Sequence, residues 1–263
     1  MTLPAIHTTI DHRGVATLTL NRPDIHNAFD DLLIEAMTAE LKNLEQNKQV
    51  RVVVLAAAGK SFSAGADLAW MRRMADYSYE ENLTDIGKLS DLMQTLSQLH
   101  QPTIARVQGA AYGGGVGLVA CCDMAIASDR AVFCLSEVKL GLIPAVISPY
   151  VVAAMGPRAA RRYFLSAEAF NASEALRWGL VHEVVADDQL DHAIESLIET
   201  LLRNGPIAMA AAKQLIERVS FSPLDTALIQ TTAERIANIR ASAEGKEGLS
   251  AFLEKRPAAW VKG

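Results

Sequence analysis

The period of apolar and polar positions changes several times along the chain. Residues 6–11 and Val15–Leu20 are short β-branched runs joined around Arg13-Gly14, and they predict a hairpin. Over 32–44, Leu33, Met37, Leu41 and Leu44 recur at the spacing of one helix face. Residues 50–57 then hold the unbroken run Val52-Val53-Val54-Leu55, which predicts a buried strand. Further short strands are expected at Thr103–Val107, 124–127 and 132–133. Such strands, alternating with helical stretches, predict βα units and a mostly parallel sheet. From about Asp188 onward the pattern is helical throughout. Leu190–Leu202, 207–219, 224–240 and 247–255 are four candidate helices, with Gly205-Pro206 and Ser222-Pro223 as breaks near helix starts. The expected organisation is an α/β core over 1–188 and a helical subdomain over 189–263, which covers the core or packs on neighbouring subunits.

The charge balance removes some functional classes. Lys and Arg total 25 against 30 Asp and Glu, a net charge of −5. Binding nucleic acid generally requires a basic surface to neutralise phosphates, so no nucleic-acid partner is expected. Half of the 263 residues are hydrophobic and 21% are charged, which excludes disorder as the main state. The longest uncharged run, 140–157, holds Pro144, Pro149, Pro157, Gly141 and Gly156. So many breakers predict core with turns, and no membrane partner. Residues 1–11 lack a basic segment followed by a long apolar one, so no secretory signal is expected and the location expected is cytoplasmic. Cys121, Cys122 and Cys134 fit neither a disulfide framework nor a C-x-x-C pair, and read as small buried hydrophobes.

Three segments carry candidate chemistry. The first is Lys60-Ser61-Phe62-Ser63-Ala64-Gly65-Ala66-Asp67, directly after the strand at 50–57. A small-residue turn there brings backbone N–H groups to the carboxyl edge of the sheet, where α/β proteins bind ligands. Asp67 is expected near the start of a helix that begins at Leu68. The second is Gln108 through Gly117, with the triple glycine Gly113-Gly114-Gly115 ahead of an apolar stretch. Glycines before a helix leave N–H groups uncovered at its positive end, a site for an anion or an oxyanion. No G-K-[ST] follows, and Leu118 stands where a dinucleotide fingerprint has its third glycine. The third is Glu137, an isolated acid in an apolar run. Burial should raise its pKa, as suits a general acid/base. The six histidines show no metal spacing, and no G-x-S-x-G elbow is present.

These segments, together with Leu20-Asn21-Arg22-Pro23, Asn27-Ala28, Cys122-Asp123, Gly141-Leu142-Ile143-Pro144, Ala172-Ser173-Glu174-Ala175, Trp178-Gly179-Leu180-Val181 and the residues from Gly248 to Pro257, resemble the enoyl-CoA hydratase/isomerase family, also called the crotonase family. The resemblance runs end to end. It implies a spiral of ββα units with a C-terminal helical trimerisation region, usually assembled as a dimer of trimers. It implies an acyl-CoA thioester as substrate, with no metal or organic cofactor. The backbone N–H groups of Ala66 and Gly114 would form an oxyanion hole, and Glu137 would carry the proton. Ala64, Asp67 and Gly113 would line the substrate. Arg22 and Lys60 match the nucleotide-binding surface, and Phe252 and Lys255 match positions that reach CoA from a neighbouring subunit.

Hydratases of the family use two glutamates, and the first would stand two residues after the triple glycine. Gly117 occupies that position here. The glycine is expected to leave space for acyl branches or water. After Ile143-Pro144 the usual glycine-rich loop is replaced by Ala145-Val146-Ile147-Ser148, with the Ala145 N–H expected to point inward. The runs 113–123 and 141–150 resemble the subgroup of methylglutaconyl-CoA and carboxygeranoyl-CoA hydratases. The expected activity is hydration of an α,β-unsaturated, branched enoyl-CoA. The alternatives are Δ3-Δ2 isomerisation of an enoyl-CoA, and a non-catalytic acyl-CoA- or RNA-binding protein.

Overall fold

The structure, a computed structural model, describes residues 4–261. The first three residues of the segment examined for a signal, and the last two of the tail, lie outside it. Strands β1 (Ile6–Ile10) and β2 (Val15–Leu20) pair antiparallel as the predicted hairpin. Its turn is held by the Asp11 carboxylate, which accepts the N–H of Arg13 and Val15. Helix α1 (Asp31–Gln46) follows, with Leu33, Met37, Leu41 and Leu44 on the buried face as the periodicity required. Strand β3 (Val52–Ala57) is buried along its whole length. Val50 is left out of it because its N–H closes a turn onto the Asn47 carbonyl.

Helices α2 (Leu68–Met74) and α3 (Tyr79–Gln98) lead to strands β4 (Thr103–Val107) and β5 (Ala111–Tyr112). Helix α4 (Gly114–Cys121) comes next, then strands β6 (Met124–Ser128) and β7 (Val132–Cys134). Helix α5 (Ser148–Ser166) kinks at Gly156-Pro157. Strand β8 (Phe170–Asn171), helix α6 (Ala172–Arg177) and strand β9 (Glu183–Val185) complete the α/β part. The main sheet has the order β1-β2-β3-β4-β6-β9, parallel except for β1. A small second sheet, β5-β7-β8, stands beside it. Helices α1 and α3 pack together, and α4 packs between α3 and α5.

Helix α7 (Leu190–Leu202) lies on the sheet itself. Its Leu190, Ile194 and Ile198 pack with Val15, Val52, Val54, Ile104 and Ile126. The outlying tail is therefore α8 (Pro206–Ser220), α9 (Thr226–Ala241) and α10 (Ala243–Leu253). Within the chain α8 has no buried residue, α9 only Leu228 and α10 only Ala251. Ile216, Ile229 and Leu253 on these helices, and Phe221 and Leu224 between α8 and α9, are exposed. The uncharged run 140–157 divides. Leu140, Leu142 and Ile143 face solvent, whereas Ile147, Val151 and Met155 are buried. Its first part is thus exposed loop rather than the expected core. No helix among the described residues is long and apolar enough to cross a membrane.

One carboxylate joins the sheet to the tail. Asp123 accepts the N–H and hydroxyl of the buried Thr103 at 2.8 and 2.9 Å, and the Lys213 ammonium of α8 at 2.8 Å. Asp123→Ala should lower the unfolding free energy by about 1–3 kcal/mol, because the buried Thr103 N–H loses its acceptor. Denaturant unfolding at fixed protein concentration measures the change, and a loss of less than a few tenths would contradict it.

Candidate active site

Strand β3 ends beside the side-chain amides of Asn27 and Gln108, which both donate to the carbonyl of Ser61. Asn27 is fully buried with φ +54°, and its Nδ2 donates to the carbonyls of Ala58 and Ser61, each at 2.9 Å. Its Oδ1 accepts the Arg22 N–H at 2.8 Å, and its carbonyl accepts the Ser63 hydroxyl at 2.9 Å. From this anchor the chain runs extended between two neighbours. On one side Ser63 bridges in parallel to Ala111, and on the other Ala66 bridges in parallel to Phe29. In the second bridge, Phe29 donates to the Gly65 carbonyl at 2.7 Å and accepts the Asp67 N–H at 2.6 Å. Alternation along an extended chain then turns the Ala66 N–H away from Phe29.

The second loop meets the first almost backbone to backbone. Gly65 has φ +86°, and a Cβ on it would stand 3.1 Å from the Tyr112 carbonyl oxygen and 4.0 Å from the Gly113 nitrogen. Gly113 has φ +50° and leads into α4, where Gly114 is the first residue. Its N–H is one of the donors that a helix leaves unpaired at its N-terminus. Among the described residues neither the Ala66 nor the Gly114 N–H has a hydrogen-bond partner. The free Ala66 and Gly114 amides therefore lie on adjoining turns, that of Gly114 at the positive end of α4.

Glu137 opens a short 3-10 turn after β7. A Cβ on Gly113 would stand 3.2 Å from Glu137 Oε1, so glycine is what lets the carboxyl approach the turn. Glu137 Oε2 is buried with no partner. Burial pushes the carboxyl up from its ordinary pKa. The residue as a whole is half-buried, its own backbone N–H offsets part of the rise, and with no ion pair among these contacts the acid can hold or release a proton without first breaking one. The three cysteines behave otherwise. All are buried and free, and burial pushes each thiol up, so none is poised as a nucleophile. Among the described residues, no group of three or more His, Cys, Asp or Glu could hold a metal.

Two expectations fail here. Gly117 does not leave space. A Cβ there would overlap Ile147 Cγ2 and stand 3.2 Å from Met93 Cε. Ile147, just before α5, is 3% exposed and fills the volume into which a residue at 117 would project. The Ala145 N–H does not point inward, because it donates to the Ile143 carbonyl at 2.8 Å in a tight turn.

The remaining candidates are more dispersed. The Arg22 guanidinium is 2.8 Å from Asp30, the cap of α1, and 3.6 Å from Asp67, and it donates to the Ala28 carbonyl. Its charge is thus met within the chain. Asp67 caps α2 as expected, accepting the N–H of Ala69 at 2.7 Å. Ala64 is exposed, with its N–H on the His26 carbonyl, and Lys60 is exposed too. Phe252 and Lys255 lie exposed at the end of α10. Two cavities of about 700 and 680 Å³ lie where α7 covers the sheet, and neither is lined by Ala66, Gly114 or Glu137. Sequence reasoning missed Ile147. Its only signal is steric, a side chain distant in sequence that has taken the place of another.

A family model described as enoyl-CoA hydratase/isomerase matches residues 11–263. The crystal structure of an enoyl-CoA hydratase from Shewanella pealeana superposes with a TM-score of 0.95 at 50% identity, covering 98% of this chain and 96% of that one. The short-chain-enoyl-CoA hydratase of Clostridium acetobutylicum is 33% identical over 245 residues, 92% of each chain. The 1,2-epoxyphenylacetyl-CoA isomerase of Escherichia coli is 32% identical over 257 residues, covering 93% of this chain and 94% of its own.

The interlock of Gly117 and Ile147 is testable by a mutant cycle. Gly117→Ala should destabilise by about 1–3 kcal/mol through overpacking. Ile147→Ala removes the colliding Cγ2, so the double variant should lose less than the sum of the single losses. Additive losses would mean that the two positions do not compete for one volume.

Proposed function

The chain belongs to the enoyl-CoA hydratase/isomerase family, and from that premise we propose that it adds water across the double bond of a branched α,β-unsaturated enoyl-CoA, with Glu137 as the single acid/base. The observation that carries the proposal is Glu137 Oε2, buried without a hydrogen-bond partner on a carboxyl that burial pushes up, beside the Gly113–Gly114 turn. The thioester oxygen of the substrate accepts the N–H groups of Ala66 and Gly114, which draws electron density from the β carbon. The Glu137 carboxylate takes a proton from water as the hydroxyl oxygen bonds to the β carbon. The resulting enolate charge rests on the thioester oxygen. Glu137, now a carboxylic acid, returns its proton to the α carbon, so water is added in full and the enzyme is restored. Each fixed N–H is worth about 2.7–4 kcal/mol to such an oxyanion. A raised pKa suits a group that must accept and then donate. No metal or organic cofactor enters these steps.

The branched acyl class is supported by the likeness of residues 113–123 and 141–150 to the methylglutaconyl-CoA and carboxygeranoyl-CoA hydratases. Lys60 and Arg22 are proposed to face the nucleotide of CoA, Arg22 in competition with Asp30 and Asp67. Phe252 and Lys255 are proposed to serve the site of a neighbouring subunit, in a trimer or a dimer of trimers. The exposed apolar faces of α8–α10 support that assembly. The proposed location is the cytoplasm.

A second reading is favoured by Ile147. With an apolar side chain where a second acid would project, Glu137 could instead move a proton from the α to the γ carbon of a 3-enoyl-CoA, with no water needed. Assays on crotonyl-CoA, methylglutaconyl-CoA and a 3-enoyl-CoA separate the two. Hydration of methylglutaconyl-CoA in preference to the others supports the proposal, whereas turnover of the 3-enoyl substrate alone supports isomerisation.

Two outcomes follow for variants and assembly. Glu137→Gln should lower turnover by about 10²–10⁴-fold while acyl-CoA binding stays similar. Near-wild-type turnover would remove Glu137 from the mechanism. Light scattering at micromolar concentration should give the mass of a trimer or hexamer, and a monomer alone would contradict the assembly.

A further inference from the structure

The paired amides are useful only if their two loops keep their spacing, and one side chain spans both. Gln108 sits at the root of the second loop, directly after β4. Its Nε2 reaches the first loop, donating to the carbonyls of Ala57 at 2.9 Å and of Gly59 and Ser61, each at 3.2 Å. Three carbonyls can only accept, so they fix which end of the amide faces them. Ser61 O is shared with Asn27 Nδ2, which holds the same carbonyl from the other flank. The next residue, Gly109, lies so close that a Cβ on it would overlap the Lys60 carbonyl oxygen. Beyond it, Ser63 donates to the Ala110 carbonyl at 2.9 Å, and Tyr112 donates to the Ser63 carbonyl at 2.8 Å.

We infer that Gln108 is a positioning residue for the reaction, its side-chain amide setting the Ala66 loop against the Gly114 loop. This rests on the reading of Ala66 and Gly114 as the oxyanion donors. Gln108 touches no reacting atom. It acts through the carbonyls of residues 57–61, five to nine positions before the Ala66 N–H. Losing it would let the first donor drift from the thioester oxygen while most binding contacts remain. The loss should therefore appear in turnover more than in substrate affinity.

The test uses Gln108→Met, which keeps the length but no donor, and Gln108→Glu, nearly the same shape but with acceptors facing carbonyls. The probe is butyryl-CoA labelled with ¹³C at the thioester carbonyl, which binds but cannot be hydrated. Isotope-edited infrared spectroscopy reads its carbonyl stretch, and steady-state assays read kcat and KM. In wild type the bound carbonyl should absorb at lower frequency than free butyryl-CoA. Both variants should lose much of that downshift, with kcat lower by about 10–100-fold and KM within about threefold. A full wild-type downshift and kcat in either folded variant would overturn the role of Gln108, and so would a raised KM at unchanged kcat. Absence of a downshift in wild type would instead overturn the oxyanion pair, and this inference with it. Should Gln108→Met not fold, Gln108→Glu alone decides.

Discussion

The Ala66 N–H is available because its neighbours are not. Gly65 gives its carbonyl and Asp67 its N–H to the same residue, Phe29, and that pairing turns the amide between them outward. Sites that stabilise oxyanions need donors fixed before the charge develops, since a donor that must reorganise returns little. For the proposed oxyanion pair, the fixing is done by backbone pairing on one side and by the Tyr112–Gly113 turn on the other. Glycine at 65 and 113 is required by positive φ and by the close approach of main chain and carboxyl. Arg22 supports the frame from outside, tying the caps of α1 and α2 together.

Beside that frame stands a carboxyl that the fold does not satisfy. A buried polar atom without a partner costs about 1–3 kcal/mol, and native structures tolerate few of them. Glu137 Oε2 is one. The proposed proton transfer would give this carboxyl a use, because a salt bridge or a full set of hydrogen bonds would fix its protonation state. Ile147 fills the volume into which a side chain at 117 would project, and no charged neighbour contributes to the raised pKa of Glu137.

Much of this was legible in the chain. The hairpin, the amphipathic face of α1, β3 and α7 follow from period alone, and the two glycine-bearing loops follow from small residues placed directly after strands. The partial burial of Glu137 was visible as one acid in an apolar run. Other features depend on contacts between distant residues. Nothing local relates Gly117 to Ile147, so the absent side chain read as open space. The Ala145 amide is closed onto Ile143 by a turn that no residue type announces. Arg22 was matched only to a nucleotide-binding position, and its ion pairs with Asp30 and Asp67 went unread because both acids approach it only after α1 and α2 have formed. Helices α3 and α5 went unread, α3 because its long exposed face weakens the periodic signal and α5 because Gly156 and Pro157 interrupt it.

The central claim is that one desolvated carboxyl performs both proton transfers. The pH dependence of kcat/KM with an enoyl-CoA tests it most directly. Hydration needs the carboxylate in the free enzyme, and burial raises the folded pKa of Glu137. Activity should therefore rise with pH through a single ionisation that lies above the ordinary glutamate range, and Glu137→Gln should abolish that ionisation. Two coupled carboxyl steps, or the same profile in Glu137→Gln, would contradict it.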